Sequence, residues 1–279
     1  MIPAAFDYEV ATSADHALSL LGSDPDAKLI AGGHSLIPAL KLRVARPSKL
    51  VDIGRLGELA YVRDAGDKLA IGALTRHKAL RDDALLQEHC PIVSTTAGLV
   101  GDPQVRHRGT IGGSLVHGDP ASDLPAVILA LGADLVIRGS AGERTVAAAD
   151  FFQGVWQTAV GPDELLTEIR VPKLGATGWS YVKLNRRAQD WATVAVAALV
   201  RRDNGSVSSA SIALVNKGAT PLRSAATESA LVGGASSVDA AEHAAEGTEP
   251  SSDHAASAEF RAHLARVATR RAIDEALAR

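Results

Sequence analysis

The sequence predicts a mixed α and β protein folded as two domains. Three observations point there: 279 residues exceed what one ordinary core supports, strand-like and helix-like apolar patterns share most of the chain, and the pattern changes after residue 172. With 46% hydrophobic and 22% charged residues, the composition is that of a globular chain, neither disordered nor built for membrane insertion. Lys and Arg number 29 against 32 Asp and Glu, for a net charge of -3, and no basic stripe alternates with aromatics. Nucleic acid is therefore not an expected partner.

Residues 13–21 (SADHALSLL) open on a capping residue and carry apolar residues at helical spacing until Gly22. Residues 28–31 read as a strand, followed by a glycine turn, a short apolar run through Leu42 and a second strand at 50–53, a compact βαβ-like unit. A strand at 68–73, a helix at 79–86 and a helix at 92–100 ending near Gly101 come next, then a glycine-rich turn. From Asp123, a proline in the first turn and apolar residues around most of the circumference predict a buried helix. Strands are expected at 134–138, 164–171, 179–184, 192–201 and 209–215. Helices follow from Leu222, interrupted by the polar, turn-rich GTEPSSDHAAS. The domain boundary is placed near 175–178.

The first residues carry neither a basic leader nor an apolar core long enough for a secretory signal, and no stretch approaches bilayer length, which predicts a cytoplasmic protein without a membrane span. Cys90 is the only cysteine, so an internal disulfide and a Cys-rich cluster site are both excluded. It reads as a small buried apolar residue, and any iron–sulfur chemistry has to come from a partner.

Two glycine motifs carry the chemistry. In the first, Ala31-Gly32-Gly33-His34-Ser35, missing Cβ atoms allow an anion to approach converging backbone N–H groups, and the hydroxyl adds a hydrogen bond to a phosphate oxygen. A tight turn leaving a strand uses Gly-Gly as well. Neither the G-x-G-x-x-G spacing nor a Walker loop is present. The second motif lies within GDPQVRHRGTIGGSLVHGDPASDLPA (101–126), where Thr110-Ile111-Gly112-Gly113-Ser114 repeats the logic. Two such cradles bracketing one pyrophosphate form a more specific pattern than either turn alone.

Asp123 reads as a helix N-cap or as an acceptor for a ribityl or ribose hydroxyl, and one carboxylate can combine both roles. Arg106 and Arg108 read as phosphate neutralisers or as solvated loop arginines. His77, His107 and His117 surround the second motif without a His-x-x-x-His or His-Cys pair, so they read as surface or loop histidines and no metal site is expected. No G-x-S-x-G elbow exists, and no catalytic acid, base or nucleophile is assigned.

AGGHSLIP (31–38), the 101–126 segment and YVKLNRRAQDWATVAVAA (181–198) closely resemble the FAD-binding medium subunits of molybdenum hydroxylases, the group that includes carbon monoxide dehydrogenase and, more distantly, xanthine dehydrogenase. The likeness spans nearly the whole chain, including the closing DHAASAEFRAHLARVATRRA. It implies an α+β fold: an FAD domain of the vanillyl-alcohol-oxidase (PCMH) type at 1–175, made of two α+β subdomains split near 55–60, and a domain at 176–279 with a three-stranded sheet and helices.

Carried over by position, Leu29, Ile30, Ala31, Gly32, Gly33, His34, Ser35 and Leu36 would line FAD, as would Thr110, Ile111, Gly112, Gly113 and Ser114. Asp123 would bind it through its carboxylate, and Leu166 and Lys183 would flank the flavin. An ordinary solvated lysine is the other reading of Lys183. Some members have Asn where Ser114 stands, and a serine supplies one donor fewer. The resemblance further implies a large molybdopterin–molybdenum subunit, a small subunit with two 2Fe–2S clusters, a dimer of heterotrimers and an external electron acceptor. The substrate, whether CO, an aldehyde or an N-heterocycle, belongs to the large subunit. A self-sufficient flavin oxidase and a nucleotide-binding module without redox role are the competing readings.

Overall fold

The computed structural model describes residues 1–279, organised around three principal sheets. The first comprises β1 (Asp7–Val10), α1 (Ala14–Ser23), β2 (Lys28–Ile30), α2 (Leu36–Lys41) and β3 (Lys49–Asp52), with the strands parallel in the order β1-β3-β2. The Ser13 hydroxyl caps α1 by accepting from the His16 N–H, and the helix buries Ala14, Ala17 and Leu21 in one cluster with Val51 and Ile53.

The second unit runs through β4 (Val62–Ala65), β5 (Lys68–Gly72), α3 (His77–Asp82), α4 (Ala84–His89), α5 (Pro91–Gly98), α6 (Pro103–Arg108), α7 (Ile111–His117), α8 (Asp123–Ala130), β6 (Asp134–Gly139), β7 (Gly142–Ala147) and α9 (Ala148–Phe151). A short hairpin, β8 (Phe152–Gly154) with β9 (Gln157–Thr158), leads to β10 (Leu165–Pro172). The antiparallel sheet order is β4-β5-β10-β6-β7, so β10 is central, with a paired strand on each side and a bulge between Leu166 and Glu168. The third unit has β11 (Gly178–Leu184), β12 (Val194–Asp203), β13 (Ser206–Val215) and β14 (Leu222–Arg223) in an antiparallel sheet, with α10 (Ala225–Val232), α11 (Ser237–Glu242) and α12 (Ala258–Leu277).

Packing explains why the third sheet reads as continuous apolar runs. Along β12, Ala195, Ala197 and Leu199 join the large core of the second unit, whereas Val196, Ala198 and Val200 join the cluster with Ala268, Ala272 and Ile273 of α12. Every residue of α8 is buried, as its all-round apolar pattern requires. α12 approaches β11 so closely that a side chain at Gly178 would overlap the Ala276 carbonyl. No helix is long and apolar enough to cross a membrane.

Three expectations need correction, and three edge strands went unpredicted. The helix at 79–86 is two helices, because the Asp83 side chain caps the Leu86 N–H and starts α4. β1, β4 and β7 lie at sheet edges and bury no side chain fully, so they lack the alternation that reveals a strand. The third sheet has a fourth, two-residue strand. The glycine-rich stretch after Gly101 is not a turn but two helices, α6 and α7, with the second glycine pair in the first turn of α7.

Candidate functional site

The first motif leaves β2 at Ile30 and turns into α2. Gly33 sits at φ +76°, a left-handed conformation that glycine adopts without steric penalty. No protein group accepts from the backbone N–H groups of Gly32, Gly33, His34, Ser35 or Leu36. The Ser35 hydroxyl does not cap α2. Five consecutive N–H groups without a protein acceptor thus lie beside a free hydroxyl, the kind of donor run that can take an anion.

The second motif differs. The Ile111 N–H donates to Thr75 O at 3.0 Å, Gly112 to Ala73 O at 2.8 Å, and Ser114 to Thr110 O at 3.1 Å. The Gly113 N–H donates to Thr110 Oγ1 at 3.1 Å. The expected cradle of free N–H groups is therefore absent here, because Ile111 and Gly112 anchor α7 to the chain leaving β5 and Gly113 and Ser114 bond to the Thr110 cap. A Cβ at Gly112 would strike the Ala73 backbone, which explains that glycine by packing. What this motif offers a ligand is the Ser114 hydroxyl, and the Thr110 hydroxyl hydrogen left over after Oγ1 accepts from Gly113.

The two motifs meet directly. A side chain at Gly32 would overlap the Arg108 carbonyl and the Gly109 Cα, so bare backbone lies against bare backbone. Both open onto one cleft of about 560 Å³, within the usual range for small-molecule sites. Of the residues expected at a cofactor, Leu29 through Leu36, Thr110, Gly112, Gly113, Ser114, Asp123, Leu166 and Lys183 line it. Ile111 does not: its side chain is fully buried in the main core. Arg106 and Arg108 are likewise not part of its lining.

Asp123 does not cap α8, since Ser122 holds the cap position and Asp123 is the first helical residue. Its Oδ1 accepts from the Tyr181 hydroxyl at 2.6 Å and its Oδ2 from Lys183 Nζ at 2.8 Å. Lys183 is correspondingly no solvated lysine: both partners of the ion pair are only 5% exposed, and Nζ also donates to Leu99 O at 3.0 Å. Burial pushes the Asp123 carboxyl up against the opposing pull of Lys183, and burial with the neighbouring Asp123 charge pushes the Tyr181 phenol up. Each carboxylate oxygen retains lone-pair capacity for a ligand hydroxyl.

Sequence reasoning missed several cleft residues. His77 is 3% exposed rather than a loop histidine, and burial lowers it to about 4. His117, Trp156 and Trp191 also line the cleft. No local signal marks them, because their positions depend on how separate elements meet. Open N–H donors, hydroxyls, one buried carboxylate and apolar walls fit FAD, whose diphosphate, polyol and planar ring need those features respectively. No nucleophile poised beside a base is apparent.

Comparisons with known proteins agree. Residues 4–174 match the family described as FAD binding domain in molybdopterin dehydrogenase, and residues 179–276 match the CO dehydrogenase flavoprotein C-terminal domain. The carbon monoxide dehydrogenase medium chain of Hydrogenophaga pseudoflava is 41% identical over 285 residues, covering 100% of this chain and 99% of the relative. The 6-hydroxypseudooxynicotine dehydrogenase complex subunit alpha of Paenarthrobacter nicotinovorans is 40% identical over 287 residues, covering 100% and 97%. A solved carbon monoxide dehydrogenase from Hydrogenophaga pseudoflava, lacking the Mo-pyranopterin moiety of its cofactor, superposes with a TM-score of 0.97 at 43% identity, covering 100% and 99% of the two chains. The chain therefore belongs to the FAD-binding flavoprotein subunits, or medium chains, of the molybdenum hydroxylases.

Proposed function

We propose that the cleft holds FAD with its diphosphate over the open N–H groups of Gly32 to Leu36 and beside the Ser114 hydroxyl. Asp123 accepts from a polyol hydroxyl there, and Lys183 and Leu166 border the cofactor. Thr110 and Gly112 act by setting the position of α7, and Ile111 by anchoring it in the core. The observation that carries this reading is the run of unpartnered N–H groups pressed through bare backbone onto the second motif. When bound, FAD supplies the redox chemistry: it accepts electrons from one protein centre and hands them to another acceptor. The residues of this chain bind and orient it, and the apolar walls limit water.

In this reading the chain is the middle carrier of a larger enzyme. Electrons come from the 2Fe–2S clusters of a small subunit, after substrate oxidation at the molybdopterin centre of a large one, and leave to an external acceptor. The assembly is a dimer of heterotrimers in the cytoplasm. Residues 1–175 form the FAD domain of the vanillyl-alcohol-oxidase (PCMH) type, in two α+β subdomains split near 55–60, and 176–279 the C-terminal domain.

Relatives named for carbon monoxide and for 6-hydroxypseudooxynicotine are 41% and 40% identical, so this chain does not choose between their substrates. The test is co-purification of the chain with the products of adjoining large- and small-subunit genes. The expected result is one FAD per medium chain, bleached by substrate. A complex that turns over with no flavin would overturn the reading.

A further inference from the structure

Resting on that placement of FAD, we propose that Arg76 is a positioning residue for the cofactor: from outside the cleft it fixes the stretch of backbone against which the Gly32 to Leu36 donor run is set. Arg76 is absent from the cleft lining and borders instead a separate cavity of about 390 Å³, together with Arg55, Lys78 and His107. Its effect on a ligand therefore passes through other residues.

The stretch it fixes is the end of α6. A helix leaves its last carbonyls without intrahelical donors, and α6, at six residues, is too short to hold its closing turn by cooperativity alone. Arg76 Nη1 donates to Arg108 O at 2.8 Å and to His107 O at 3.3 Å, and no other protein donor reaches either carbonyl. A cation also suits the negative end of the helix dipole. The backbone grips the same stretch: Arg76, the N-cap residue of α3, pairs with Thr110 in an isolated antiparallel bridge. On either side of that bridge the His77 N–H donates to Gly109 O and the Ile111 N–H to Thr75 O, both at 3.0 Å.

The link to the first motif is a single carbonyl. The Arg108 oxygen that accepts from Arg76 is also the atom nearest to where a Cβ on Gly32 would sit, followed by the Gly109 Cα. Donors without an acceptor take their direction from what their backbone packs against, and for Gly32 that is the 108–109 segment. Without the guanidinium, two carbonyls at the end of a short helix turn to water, the segment shifts, and the donor run loses its alignment.

Binding of FAD and of ADP to the flavin-stripped complex tests this, ADP by competition, since ADP carries the diphosphate without the flavin. In Arg76→Met, which keeps a long stem and loses the donors, both affinities are expected to fall by the same factor, about ten- to a hundredfold, as for one or two hydrogen bonds from a charged group. Arg76→Lys, whose ammonium can donate to both carbonyls as a point charge, is expected to recover most of that loss. The absorption maximum and midpoint potential of the FAD that does bind should stay as they are, because Leu166 and Lys183 are untouched. Arg76→Gln provides the same readout should Arg76→Met fail to fold. Affinities unchanged in the Met and Gln variants, or a loss for FAD with none for ADP, would overturn the proposal. Absence of ADP competition in the unaltered complex would instead overturn the placement of the diphosphate on which it rests.

Discussion

Gly32 lies against the carbonyl of Arg108 with no room for a Cβ between them. This contact joins two segments far apart in the chain whose glycine motifs line one cleft.

Gly32→Ala is expected to destabilise the chain by about 1–3 kcal/mol, because backbone has to move against backbone. It should also deplete FAD from the purified complex. Gly22→Ala is the control: nothing lies within 4 Å of the added Cβ, and the position is helical. That variant should keep its flavin and gain up to about 1 kcal/mol in a thermal melt.

The Asp123–Lys183 pair predicts strong non-additivity. Lys183→Met leaves a buried carboxylate without a counter-charge, and Asp123→Asn leaves a buried ammonium, each at a cost of about 3–5 kcal/mol. The double variant should lose clearly less than the sum. Melting temperatures of the four complexes measure this coupling, and additive losses would show the pair to be inert.

Lys217 provides a pH prediction outside the cleft. Its Nζ is buried without a partner, and burial, helped by the charges of Arg261 and Arg266, lowers it to about 8. The unfolded chain holds this proton up to about pH 10.4, so stability should rise with pH between roughly 8 and 10. Below that window the full penalty applies. Lys217→Met should raise stability at neutral pH by on the order of 2–3 kcal/mol and remove that part of the slope. Unfolding midpoints measured across this range check both.

Cys90 is fully buried, and burial pushes its thiol up to about 12. The thiolate, which is the reactive form, is scarce at neutral pH. Iodoacetamide should leave the native chain unmodified at pH 8 and alkylate Cys90 only after unfolding, as read by intact mass.

The site was legible in the sequence where local chemistry forces a residue type. Gly33 is a glycine because of its left-handed backbone, and the hydroxyls of Ser35 and Ser114 follow glycine pairs. The role of the second pair was not legible, because the Gly112 N–H is claimed by the Ala73 carbonyl, which only the tertiary fold brings near, and the Gly113 N–H by the Thr110 hydroxyl that caps α7. His77 was invisible for the same reason: the approach of Gly109 to its ring is not encoded in its neighbours. In the fold, the buried runs of β10, β12 and α8 declared themselves, whereas β4 and β7, exposed at an edge, carry no periodicity to read.

The most direct measurement is a structure of the FAD-loaded complex. The account predicts diphosphate oxygens within hydrogen-bonding distance of backbone N–H groups in the Gly32 to Leu36 run and of the Ser114 hydroxyl. A diphosphate seated elsewhere, with those N–H groups facing only solvent, would contradict it.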